Sequence, residues 1–115
     1  MATVALQMTA SVVVSVAAGA GLELPPDVLI VLDEDPELMG RGLAGHTWPD
    51  GHRITLYPDA FQDEEQLLRT VVHELVHVRQ VRDRGVASDT VQLARREREA
   101  YAEEEAWWQS HREQL

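Results

Sequence analysis

Residues 63–80 read DEEQLLRTVVHELVHVRQ, and the periodicity of this stretch decides how the rest of the chain is organised. Leu67, Leu68, Val71, Val72, Leu75 and Val76 recur at three- and four-residue intervals, the spacing of an apolar helix face. Asp63, three residues before Gln66, has the residue types of a capping box, and Gly85 is the expected stop. His73 and His77 fall nearly opposite the stripe, in line with Gln66, Thr70 and Gln80. They are therefore expected to face solvent, or a cleft built by another element, and not to lie in the core.

Histidines four apart on a helix can turn their imidazole nitrogens to one ion. Glu74, one residue after the first, is rotated too far around the helix to ligate easily. It is instead placed to take a proton from a water near such an ion, the role of a general base. The alternative is bland, because two histidines four apart are often just polar residues on a solvated face. A catalytic zinc takes three protein ligands, so the question is whether the chain supplies a third.

The chain has 115 residues, enough for one domain and one core but not two, and no cysteine. Disulfide and thiolate chemistry is excluded, which leaves histidine and carboxylate as metal ligands. A formal net charge of −10 would repel nucleic acid and anionic lipid, so neither is an expected partner. The first twenty residues, MATVALQMTASVVVSVAAGA, are apolar and end in small residues. They carry no Lys or Arg and are interrupted by Gln7, Thr9, Ser11 and Ser15, which favours a folded helix of an intracellular, cytoplasmic protein over an export segment. A spanning helix is disfavoured by the same polar residues.

Around the central helix the chain predicts an α+β domain. An N-terminal helix spans Thr3 to about Ala18. Val28 to Leu32, an apolar β-branched run, reads as a buried strand. Leu43–Trp48 and Arg53–Tyr57 flank the turn residues Pro49 to His52 as a hairpin, the second arm alternating between a core face and a wet face. A last helix, capped by Ser88 or Asp89, runs to about Gln109. The sheet is expected to be three-stranded, antiparallel or mixed.

That last helix offers Glu97, Glu99, Glu103, Glu104 and Glu105. Glu97 shares a stripe with Leu93, Ala100, Tyr101 and Trp108, and it is expected to point inward, where an unpaired carboxylate is costly. It is the candidate third ligand; a salt bridge to Arg69 or another arginine is the alternative. Glu104, seven residues on, shares its face and is the candidate to hold a ligand histidine from behind. Glu99, Glu103 and Glu105 read as a solvated charged face. Tyr101 is either core or a hydrogen-bond donor to a reaction intermediate. His46, His52 and His111 read as loop and tail residues, with a place for His46 or His52 at the border of the cleft as the alternative, and Trp107 and Trp108 read as packing residues.

The pair of motifs HELVH (73–77) and EREA (97–100) resembles the gluzincin class of zinc metallopeptidases, most of all the short minigluzincins. The resemblance covers about residues 53–108. It implies a zincin-like core, a zinc ion on His73, His77 and Glu97, Glu74 as base, and a peptide or protein substrate. It also implies that the strand with Ile54, Thr55 and Leu56 is the edge that pairs with substrate. Arg79 stands where these peptidases usually carry an apolar residue, and Tyr101 where relatives continue with an acid. The expected activity is endopeptidase hydrolysis. An alternative of a different class is a binding module in which zinc only staples two helices.

Overall fold

A computed structural model describes residues 5–114. Its elements are helix α1 (Ala10–Gly19), strands β1 (Leu29–Leu32), β2 (Gly45–Thr47) and β3 (Arg53–Leu56), and helices α2 (Glu64–Arg84) and α3 (Thr90–His111). The chain is thus an α+β fold with three helices and a small mixed sheet among the described residues. None of these helices is long and apolar enough to cross a membrane.

The sheet order is β1-β3-β2. β1 runs parallel to β3, with Leu29 opposite Arg53, and β2 runs antiparallel to it, with Thr47 opposite Ile54. The hairpin is therefore as expected, but two expectations about the strands fail. β1 is not buried: it is an outer strand, and Leu29 is 61% exposed. β3 has no wet face over Ile54, Thr55 and Leu56, all of which are buried. Paired on both sides, β3 has no free edge, so those residues cannot form a substrate-pairing strand. The strand whose free side runs beside α2 is β2.

α1 begins later than the apolar run suggests. Thr9 caps it by accepting from the Val12 amide at 3.1 Å, so residues 5–9 are not helical, and Thr3, the expected start, lies outside the described residues. α2 follows the reading of its stripe: Asp63 accepts from the Gln66 amide at 2.7 Å, and Gly85 closes the helix at φ +72, a conformation that favours glycine. Leu67 and Val71 join Ile54, Leu56, Phe61 and Val13 in one core between α1, α2 and the sheet. Asp89 caps α3 through the Gln92 amide at 2.8 Å.

α3 packs against α2 but not over the sheet, and this corrects the reading of its stripe. Its buried residues are Arg96 and Ala100. Leu93 is 53% and Tyr101 60% exposed, so the face that bears Glu97 bounds a cleft and does not enter the core.

Candidate metal centre

The cleft lies between the β2 edge and α3, with α2 as its floor, and encloses about 780 Å³. Antiparallel packing of α2 on α3 brings the sequence-predicted residues together. The ring Nε2 atoms of His73 and His77 are 3.2 Å apart. Glu97 reaches both, with one carboxylate oxygen 2.5 Å from His77 Nε2 and the other 3.4 Å from His73 Nε2. The three ligand atoms lie within 4.8 Å of one another, so this His/Glu group can hold a metal ion. Arg69, the alternative partner for Glu97, pairs instead with Glu65, Glu104 and Glu105.

The outer ring nitrogens define the tautomers. His73 Nδ1 is 3.0 Å from Glu104 Oε1, and an ionised carboxylate only accepts, so this nitrogen carries the proton. His77 Nδ1 faces Gln80 Oε1 at 2.8 Å. The Gln80 amide is oriented by donation to the Arg96 carbonyl at 3.1 Å and to Glu99 at 3.0 Å, so its oxygen must be the group that meets His77. Both imidazoles thus keep their Nδ1 protons and turn Nε2 toward Glu97. Were both rings neutral, their lone pairs and the carboxylate would repel one another, so either a ring proton or a metal ion sits among them.

Two nitrogens about 2.05 Å from a tetrahedral ion stand about 3.3 Å apart, close to the observed 3.2 Å, whereas the 2.5 Å between Glu97 and His77 Nε2 is shorter than that spacing, so the carboxylate must draw back for both to ligate one ion. Glu104, 13% exposed in its side chain, stands behind His73, as Gln80 stands behind His77. Gln80 was not singled out as a support in the sequence, although it lies three residues after His77 on the same helix face. That spacing was the available signal.

Glu74 is 5% exposed. The Thr47 hydroxyl lies 2.8 Å from its Oε1 and 3.0 Å from its main-chain oxygen. Burial pushes its carboxyl above the ordinary carboxylate range, against the Thr47 hydrogen bond and the two neighbouring histidines. A carboxylate raised in this way is better matched to moving protons near neutral pH. Gly45 makes room for it: a Cβ on residue 45 would lie 2.9 Å from Thr70 Cγ2 and 3.0 Å from Glu74 Cγ. Neither Thr47 nor Gly45 carries a local sequence signal, because each meets Glu74 only through tertiary packing. For His73, burial favours the neutral ring, but the Glu104 hydrogen bond and the charges of Glu74 and Glu97 outweigh it and raise the pKa.

Tyr101 stands edge-on to His73, with ring centroids 4.4 Å apart. It is neither core nor remote. Burial and the nearby carboxylates, Glu97 first among them, push its phenol pKa up, which keeps its proton in place. The remaining histidines are not brought to the trio. His46 lines the cleft from β2, His52 lies near Asp27 and Arg82, and His111 stacks on Trp107 at 4.3 Å. Glu99, Glu103 and Glu105 are not simply solvated: each pairs across to α2, with Arg84, Arg79 and Arg69 respectively.

The chain matches no family model, and no curated protein or solved structure is significantly similar to it.

Proposed function

We propose that this protein is a zinc-dependent endopeptidase with a zincin-like core, in keeping with the gluzincin resemblance of HELVH and EREA. The observation that carries the reading is the position of Glu74: a buried carboxylate, oriented by Thr47, beside a His/His/Glu trio that opens into a cleft. A site that served only to staple two helices would have no use for a base there.

His73, His77 and Glu97 would hold the ion. Bound there, zinc supplies a Lewis acid that polarises a scissile carbonyl and acidifies water. Glu74 takes the proton of the attacking water and passes it to the leaving amine. Thr47 holds the Glu74 carboxylate in one orientation. Tyr101, protonated and open to the cleft, is the candidate donor to the oxygen that gains charge. Glu104 and Gln80 keep both histidines in the ligating tautomer. The peptide would lie extended along β2, in place of the expected Ile54–Leu56 strand.

The test is to incubate zinc-loaded protein with a mixed peptide library and search for cut products by mass spectrometry. Products from the wild type, and none from Glu74→Gln that still holds zinc, support the proposal. No product from either protein moves the reading to the zinc-stapled binding module, for which the bridging of α2 and α3 by the trio also speaks.

A further inference from the structure

The two ends of the cleft differ in chemistry. Toward the start of α2 it is lined by Gln66, Arg69 and Thr70, whereas below the hairpin turn it is walled by Pro49, Val81, Val86 and Leu93. Val86 is 59% and Leu93 53% exposed, so these side chains offer apolar surface to whatever enters. Three of the polar groups nearby are already engaged within the protein. Gln80 is 1% exposed and bonded to His77, Arg96 and Glu99. Arg96 donates to the Gly85 carbonyl at 2.6 Å, and Asp89 caps α3.

Val81 is one helical turn beyond His77, and Leu93 is one turn before Glu97. Each is therefore about 5–6 Å along its helix from a ligand, a span that an extended chain covers in about two residues. β2 runs from Gly45, beside Thr70 and Glu74, toward Pro49 and the hairpin turn, whose Gly51 approaches Val81 and Arg82. A peptide that pairs with β2 in the antiparallel sense, the more stable one, enters at the hairpin turn and runs toward Gly45. Its amino-terminal side then lies over Val86 and Leu93.

We infer that this end of the cleft is a subsite for a large apolar side chain, within two residues on the amino-terminal side of the bond to be cut. The inference rests on the proposed peptidase reading and adds the substrate class. Acidic side chains are disfavoured in the subsite: Glu97 is 40% exposed beside it, and the chain carries ten net negative charges. The apolar side chains of the wall offer an acid no donor, and the Arg96 guanidinium is 7% exposed and turned to the Gly85 carbonyl.

Binding tests the subsite apart from turnover. Zinc-loaded Glu74→Gln protein, and metal-free wild type as a second preparation, are titrated with the blocked pentapeptides acetyl-Ala-Ala-X-Ala-Ala-amide, where X is Leu or Asp. The methyl signals of the protein are followed by NMR. The Leu peptide should bind at least about tenfold more tightly, the scale on which apolar pockets discriminate, with the largest shifts at Val86 and Leu93. Leu93→Asp should remove the preference and leave zinc affinity unchanged; Val86→Asp provides a second variant outside the helices. Equal binding, no binding of either peptide, or shifts centred on Leu43 would overturn the inference. Cleavage by the wild type is scored separately. No cleavage with the Leu preference intact counts against hydrolysis and leaves the subsite standing, whereas cuts that place Leu on the carboxyl-terminal side refute the orientation.

Discussion

Glu104 Oε1 lies 3.0 Å from His73 Nδ1, and its other oxygen faces Arg69 at 3.4 Å. The carboxylate thus holds the His73 ring from behind, on the side away from Glu97, while an arginine on the same helix as that histidine holds the carboxylate. Outer groups of this kind commonly contribute ten- to a hundredfold to metal affinity. Glu104→Ala should therefore weaken zinc binding by about that factor, as read with a competing chelator. Unchanged affinity would mean that the histidine is oriented by packing alone.

Thr47→Val should retain zinc and turn over more slowly. The substitution removes the hydroxyl that approaches Glu74 Oε1 at 2.8 Å and leaves a buried carboxylate oxygen without its donor, a loss of about tenfold in kcat. Steady-state kinetics on any cleaved peptide, paired with a metal assay, separates the two effects. A variant that loses zinc together with activity would place Thr47 in the support of the ligands instead.

Gly45→Ala tests the close approach of β2 to α2. Its Cβ would meet Thr70 Cγ2 at 2.9 Å and Glu74 Oε2 at 3.1 Å, so strand or carboxylate must shift. Thermal unfolding should show a loss of about 1–3 kcal/mol, typical of overpacking, with turnover reduced beyond what the remaining folded fraction explains. Wild-type stability and rate would show that the strand yields freely.

The α2–α3 ion pairs set a pH dependence whose sign follows from their shifts. The Glu99 carboxyl is held below its ordinary range by Arg84 first and then by Gln80, and Glu105 by Arg69 first and then by Gln109. Lowered folded-state pKa values mean that the stabilisation is present above the unfolded carboxylate value and is lost as pH falls through the folded one. In chelator, the Tm of the wild type should fall more steeply with acidification through the carboxylate range than that of Glu99→Gln/Glu105→Gln. Parallel curves would show that these exposed pairs contribute nothing measurable.

Much of the site was legible because it is written in helical phase. His73, His77 and the stripe of α2 follow from local periodicity, and Glu97 and Glu104 share a face because seven residues make two turns. What phase cannot tell is which element covers a face. Leu93 and Tyr101 look like core by spacing, yet among the described residues α3 packs chiefly against α2, so that stripe borders a cleft. The role of β3 was hidden for a related reason. Its alternation is local, but its central position depends on pairing Leu29 with Arg53, twenty-four residues away, and nothing in either segment encodes that partner. The contacts of Thr47 and Gly45 with Glu74 were illegible in the same sense.

The central claim is that His73, His77 and Glu97 form one metal site. Its most direct measurement is a zinc titration, against a competing chelator, of the wild type beside Glu97→Ala and Glu99→Ala. One zinc per wild-type chain is expected, with affinity sharply reduced in Glu97→Ala, which removes a ligand. Glu99→Ala should change it by less than about tenfold, since Glu99 touches Gln80 and Arg84 and not the trio. No stoichiometric zinc in the wild type, or equal affinity in all three proteins, would contradict the account.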